Sequence, residues 1–329
     1  MNALTFDYNA DAAPPARWLA FLDQLWWNDA ESIALLQEWF GYSLIPDTSQ
    51  QKMLLIVGPR RSGKGTIARI QRRLVGVVNV VGPTTNSLAG PFGLQPLIGK
   101  SLAIVSDARF NGDNVPIVTE RLLCISGEDT LTIDRKFLGA VSMRLPTRFM
   151  FLTNELPRLS DASTALAGRF LILQLTQSFY GVEDLTLTET LSAELPGILL
   201  WALEGWDRLH ARGYFVQPAS VADAIADLED LGSPVREFVR ECCTVLPELR
   251  IRMDVLYAAW EIWCAQTGRK ATTRQRFGRD LSSAIPGIKR RRDTGFNTFY
   301  DGLSLTAEAA DAVARFQKSR QRSRDRESD

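Results

Sequence analysis

The chain has 329 residues, with 38 Lys and Arg balanced by 38 Asp and Glu, one histidine and four cysteines. That length suits about two domains; the lone His210 argues against a His-based triad or a multi-histidine metal site, and Cys124, Cys242, Cys243 and Cys264 form no Cys-x-x-Cys spacing, which sets structural zinc aside and fits a reduced, cytoplasmic setting. No signal peptide and no apolar run of about 18 residues occurs, so the expectation is a soluble chain with no membrane partner.

Residues 1–47 open with a polar leader and then place Trp18, Phe21, Leu22, Leu25 and Trp26, followed by Ile33, Leu35, Leu36, Trp39 and Phe40, at helical spacing, which predicts an N-terminal helical subdomain. Pro46-Asp-Thr-Ser49 reads as the hinge into the next domain. The run Met53-Leu-Leu-Ile-Val-Gly-Pro-Arg-Arg-Ser-Gly-Lys-Gly-Thr66 is an apolar strand feeding a glycine-flanked loop and a helix. Gly58 and Gly63 let consecutive backbone N–H groups of the loop through Pro59, Arg60, Arg61 and Ser62 turn inward around a phosphate, Lys64 neutralises the outer phosphates, and the helix directs its positive end at them. This spacing predicts a nucleoside triphosphate as the ligand, with Mg²⁺. Gly65 stands directly after Lys64, so the hydroxyl that would meet Mg²⁺ is displaced by one residue to Thr66.

Further apolar strands are predicted at Leu102–Ser106, Phe149–Thr153 and Phe170–Leu175, which with the first gives an α/β sheet with its chemistry at strand ends. Asp107 follows its strand, where a carboxylate would hold Mg²⁺ or activate water, against the alternative of a strand-ending cap. A second acid is absent from that strand end, leaving Glu120 and Glu128 as stand-ins. The strand ending in Thr153-Asn154 supplies an amide that could orient water or sense the γ-phosphate, and Arg169, at the start of the next strand, could reach a phosphate of its own or an adjacent subunit; a turn residue and a surface ion pair are the competing readings. Between them, Asp129–Leu145 alternates around a Gly-containing turn as a β-hairpin, with Arg135 and Lys136 near its tip suited to a phosphate backbone or to blocking an exposed edge.

The pattern from 191 to 232 is a helical linker, closed by Gly232-Ser-Pro234. Over 233–306 two helices, a basic helix carrying Arg274 and Arg276, the run Lys289-Arg290-Arg291-Arg292 and a final strand follow in the order of a winged-helix domain. Arg269 to Arg292 holds nine basic residues and one acidic, which predicts a nucleic-acid partner in an otherwise neutral chain. The spacing of Trp260 and Trp263 marks them as core rather than as a base-stacking platform. The segment 307–329 is read as a basic, disordered tail.

The ordered set Gly58–Thr66, Leu102–Arg109, Ile125–Lys136, Thr153–Asp161 with Arg169, and Ser233–Phe238 resembles the helicase portion of phage and plasmid primase-helicases, within the superfamily 3 helicases, an AAA+-like group. The resemblance implies an AAA+-like P-loop ATPase core over 48–190 and a homo-oligomeric ring, usually a hexamer, with ATP between subunits and a hairpin lining the pore. It assigns Lys64 and Thr66 to the Walker A motif, Asp107 to Walker B, Lys136 to the pore hairpin, Asn154 to the sensor and Arg169 to the arginine finger. It further implies movement on single-stranded DNA, with duplex DNA as a second target. No primase-like segment precedes the motifs, so primer synthesis is not expected of this chain and a separate primase or replication protein is an expected partner. Two other readings stand beside it: a non-motor, ATP-switched DNA-binding protein, and a small-molecule kinase, in which Gly-Lys-Gly-Thr also occurs.

Overall fold

The computed structural model describes residues 6–110, 114–157, 165–285, 287–293 and 297–316; the segment from Gln317 and Gly295-Phe296 of the expected turn lie outside the described residues. The chain divides into two compact units, the first ending at Leu228 and the second beginning at Glu229. Among the described residues no helix is long and apolar enough to cross a membrane.

The first unit is mixed α/β. Helices α1 (Ala16–Leu25) and α2 (Ala30–Tyr42) precede β1 (Met53–Val57), α3 (Lys64–Val75), β2 (Val80–Val81), α4 (Thr85–Ala89), β3 (Leu102–Val105) and α5 (Val115–Ser126). The hairpin β4 (Leu131–Arg135) and β5 (Leu138–Met143) follows, then β6 (Arg148–Thr153), β7 (Phe170–Gln174), α6 (Leu187–Ser192), α7 (Leu195–Arg212) and α8 (Ala222–Gly232). Five strands form one sheet in the order β2-β3-β6-β1-β7, all parallel.

Strands of such a sheet are apolar on both faces because helices cover both. Leu54, Ile56, Ile104, Met150, Leu152, Leu171 and Leu173 point into one core with α1, α2, α3 and α7. Their sequence neighbours Leu55, Val57, Ala103, Val105, Phe149, Phe151 and Ile172 point into the other, with α5 and Ile133 of the hairpin. The helices predicted for the N-terminal segment thus share their core with the sheet.

On that side α2 and α7 approach closely. A Cβ added at Gly41 would stand 2.2 Å from the Ala202 carbonyl, and one at Gly205 2.5 Å from the Gln37 backbone. Glu38, 3 % exposed, accepts from Arg208 at 2.8 Å and Arg212 at 2.5 Å across the same seam, so its buried charge is paired on both oxygens. Arg148, at the start of β6, is also buried; its guanidinium lies 4.3 Å from the Tyr42 ring and donates to the Ile45 and Asp47 carbonyls, tying the turn after α2 to the sheet. Burial pushes the Tyr42 hydroxyl up to about 12.

The second unit contains α9 (Pro234–Cys242), β8 (Cys243–Arg252), α10 (Met253–Gln266), α11 (Arg274–Ala284), β9 (Lys289–Arg292) and β10 (Thr298–Leu305). Its antiparallel sheet runs β8-β10-β9. The aromatic stripe of α10 is core: Trp260 lies 5.1 Å from Phe277 and 5.3 Å from Trp263, with Phe238 and Tyr300 alongside. Sequence reasoning missed β8, whose Pro247, Glu248 and Arg250 break any apolar alternation. It is tolerated because β8 is an edge strand and the register slips there, Asp301 pairing with Arg250 and Leu303 with Val245.

Gly205→Ala is expected to lower stability by about 1–3 kcal/mol, because the new methyl meets backbone that cannot swing aside. Thermal melting of the variant measures this; an unchanged midpoint would show that α2 and α7 separate freely.

Candidate functional site

In a parallel sheet the strand C-terminal ends share one edge, where loops can converge on a ligand. Here β1 leads into Gly58, β6 into Asn154 and β3 into Ser106-Asp107, and β6 lies between the other two.

The loop Gly58–Gly63 is shaped by two close approaches. A Cβ at Gly58 would stand 2.6 Å from the Leu175 carbonyl, and Gly63, with φ of 90°, opens α3 from the left-handed region while touching Leu25 of α1. Arg61 also takes a left-handed φ of 59°. From outside, the segment after β7 donates to the loop's carbonyls, Ser178 Oγ to Arg60 O and Phe179 N to Arg61 O, each at 2.9 Å. Among the described residues the amides of Arg60, Arg61, Ser62, Gly63, Lys64 and Gly65 meet no acceptor in the chain. Six free amides at the start of a twelve-residue helix are a ready anion cradle, to which the helix dipole adds. Pro59, which has no amide hydrogen, and Arg60 are exposed at its rim.

Lys64 lies across the cradle. Its Nζ donates to Gly58 O at 2.6 Å and Pro59 O at 2.7 Å, and reaches Ser62 Oγ at 3.2 Å and Asn154 Oδ1 at 3.3 Å. Desolvation lowers its pKa from the ordinary lysine value, and the nearby charge of Asp107 opposes that shift. Lys64, Asn154 and Asp107 are thus brought together from three strands. Asp107 sits at φ of 54° with its carboxylate exposed and bonded to Arg109 at 2.9 Å.

Other expected residues stand differently. The Thr66 hydroxyl is buried and accepts from Arg69 at 3.1 Å, and Arg69 in turn donates to Thr188 of α6. Glu128 is corrected as a second carboxylate: it accepts from Thr48 Oγ1 at 2.5 Å near the entry to β1, at the opposite edge of the sheet. Glu120 is exposed on α5. His210 lies against the Trp206 ring at 5.1 Å on α7. Among the described residues no three acidic, imidazole or thiol groups cluster to hold a metal. The donor set therefore fits an anion well and offers Mg²⁺ Asp107.

Arg169 precedes β7, and Phe170 pairs with Met53 at the start of β1. It is therefore about one strand length, ~15 Å, from the phosphate cradle of its own chain. Its guanidinium donates to Gln51 Oε1 at 2.7 Å and Ser126 O at 3.0 Å.

The hairpin turns over Lys136 and Phe137, since Arg135 pairs with Leu138. Arg135 Nε donates back to Gly139 O at 2.8 Å, and the Lys136 amide donates to Gln95 Oε1 at 2.9 Å. Phe137 holds φ of 61° and is 92 % exposed, with Lys136 Nζ 5.1 Å from its ring. Sequence reasoning passed over Phe137, because nothing in an alternating pattern tells which apolar residue falls on the turn.

In the second unit Arg274 and Arg276 are exposed on the first turn of α11, capped by Thr273. The pleat divides the run on β9. Arg290 lies opposite buried Tyr300 and Arg292 opposite Thr298, on the face that carries α11. Lys289 and Arg291 take the other face, where Arg291 and Arg250 both bond Asp301, at 2.8 and 2.6 Å. These four cations do not form one patch.

Lys64 is expected to titrate below the ordinary lysine value, because burial disfavours its ammonium. Competitive acetylation across pH, read by mass spectrometry, measures this, and ATP is expected to protect the residue. A midpoint at the ordinary value would show the amine hydrated.

A sequence-family model described as a family of unknown function (DUF5906) matches residues 56–169, from β1 through Arg169. Among solved structures, the A-form apo structure of the NrS-1 C-terminal region is similar at a TM-score of 0.54 and 13 % identity, covering 91 % of this chain and 79 % of that one. The apo structure of NrS-1 residues 305–718 gives 0.53 and 14 %, with the same coverage. The chain shares the mixed α/β fold of these structures.

Proposed function

We propose that this chain is an ATP-dependent, ring-forming DNA helicase or replication initiator of a phage, prophage or plasmid-like element, a P-loop ATPase of superfamily 3 type with a winged-helix unit. The contact that carries the reading is Lys64 Nζ to Asn154 Oδ1 at 3.3 Å, between residues 90 positions apart. It sets a phosphate-neutralising cation beside an amide able to orient water, with Asp107 close enough to affect the lysine's charge. The sheet order, with β6 between the loop-bearing and acid-bearing strands, supports an AAA+-like core.

On binding, the six amides and Lys64 would take the triphosphate, Lys64 exchanging the Gly58 and Pro59 carbonyls for phosphate oxygens. Mg²⁺, which neutralises charge developing on the transferred phosphoryl group, would enter with the nucleotide and meet Asp107 once Arg109 gives way. Arg169 faces the wrong edge to serve its own site, so it would act on a neighbour's nucleotide, in a head-to-tail ring. At the hairpin tip Lys136 suits a phosphate and Phe137 a base, the pairing expected for a single strand held without sequence preference. Similarity to the NrS-1 C-terminal region is compatible with a role in replication. The non-motor switch remains a second reading, favoured by the engagement of Asp107 with Arg109.

Lys64→Ala is expected to cut ATP hydrolysis by about a hundredfold or more with an unchanged melting temperature, measured on protein whose mass in solution is recorded with ATP. Single-stranded DNA should stimulate the wild-type oligomer; a DNA-indifferent rate from a monomer would sink the motor. Lys136→Ala should retain basal hydrolysis and lose the stimulation. Arg169→Ala and Lys64→Ala, each inactive alone, should regain activity when mixed, since some interfaces then combine an intact loop with an intact arginine; no recovery would take Arg169 out of the neighbouring site.

A further inference from the structure

Two exposed aromatic side chains lie on segments fastened to the phosphate cradle, and the reading above uses neither. Trp27 follows α1 directly. Leu25, two residues before it, closes on Gly63, where an added Cβ would stand 3.0 Å from Leu25 Cδ2. Trp26 Nε1 donates to Gln174 O at 2.8 Å, at the end of β7. Those two anchors leave Trp26 4 % exposed and Trp27 75 % exposed, with Asn28 turning the chain at φ of 59°. Of the eight tryptophans Trp27 alone is exposed.

Tyr180 lies on the strap that follows β7. Besides the two hydrogen bonds to Arg60 O and Arg61 O, the strap is held by an ion pair from Arg61 Nε to Glu183 Oε1 at 3.2 Å. Phe179 turns toward the core below. Tyr180 is left 80 % exposed, ahead of a reversal at Gly181 with φ of 84°. The fold orders both segments and buries neither ring.

A nucleotide held by its phosphates at the cradle projects its nucleoside past the loop's rim, where these two segments run. Two polar side chains there are already matched, Arg61 with Glu183 and Ser178 with the Arg60 carbonyl, while the Arg60 side chain is exposed at the rim. Beside it lies aromatic surface, and every nucleobase offers it a π-face. We propose that Trp27 and Tyr180 form the base-contacting surface of the nucleotide site, and that they recognise the base by stacking rather than by its hydrogen-bond pattern. The site then accepts purine nucleoside triphosphates without separating ATP from GTP, since stacking engages the π-face that both purines share. This inference rests on the phosphate-loop reading.

The test is calorimetric titration of the full chain with ATP, GTP and tripolyphosphate. Wild type is expected to bind ATP and GTP within about threefold of each other and tripolyphosphate about tenfold more weakly. Tyr180→Ala and Trp27→Ala should each lower both nucleotide affinities by roughly tenfold and leave tripolyphosphate unchanged, while Tyr180→Phe behaves as wild type. Wild-type ATP affinity in both alanine variants, or a strong preference for one purine, would overturn the proposal and leave the phosphate loop standing. Failure of wild type to bind either ATP or tripolyphosphate would overturn both. If Tyr180→Ala changes only the mass of the oligomer, the strap belongs to a subunit contact and the proposal falls.

Discussion

The pairing of β6 with both β1 and β3 is the constraint on which the rest of the site depends. Neighbouring strands lie about 4.8 Å apart, so this one insertion sets three strand ends, and with them Gly58, Asn154 and Asp107, along one edge of the sheet. The strand can sit there only because it is apolar on both faces: Met150 and Leu152 fill one core, Phe149 and Phe151 the other. A polar residue at any of the four would break a core rather than a surface. The same burial fixes the register and so decides which residue emerges first at the end, where Thr153 is buried and Asn154 is the first residue free to reach Lys64.

Much of this was legible in the sequence, for a physical reason. Central parallel strands read as continuous apolar runs, and Met53–Val57 and Phe170–Gln174 could be placed within a residue of their observed bounds. The turn Gly58–Gly63 was legible because glycine spacing states a backbone requirement directly. What could not be read was which end of the sheet a residue between elements would reach. Glu128 and Asp107 each stand two residues past the end of an element, α5 and β3, yet one lies beside the entry to β1 and the other beside Lys64. Only the direction of travel along α5 separates them. Exposure was equally hidden: Phe137, Trp27 and Tyr180 have the composition of core residues, and the neighbours that fasten the chain and leave their rings outside are far away in sequence.

The basic run on β9 shows the opposite failure, in which a strong composition signal is divided by geometry. Four consecutive cations read as one electrostatic feature, but a strand alternates its side chains. Asp301 draws Arg291 and Arg250 to one face, which lowers the free positive charge there, while Arg290 and Arg292 share the face of α11 with Arg274. A phosphate backbone lying on that second face would meet cations that have no carboxylate opposite them on β10. Net charge of the segment therefore overstates the attraction available on the outer face and states it fairly for the helical one.

Arg169 bears on the proposed assembly from within one chain. A guanidinium kept half-buried at the entry edge is held by a glutamine oxygen and a backbone carbonyl and, among the described residues, by no carboxylate. Were its role to stabilise the fold, a carboxylate partner would serve better, as Glu38 does for Arg208 and Arg212. Two neutral acceptors orient the group without cancelling it, which is the arrangement suited to meeting an anion from outside. The cradle at the far edge holds six amides that meet no acceptor among the described residues, with Lys64 across it. The cradle and Arg169 lie about a strand length apart within the chain; under the proposed reading they would meet between copies, and an interface joining opposite edges of the same sheet would be head-to-tail, closing into a ring when the rotation between copies permits.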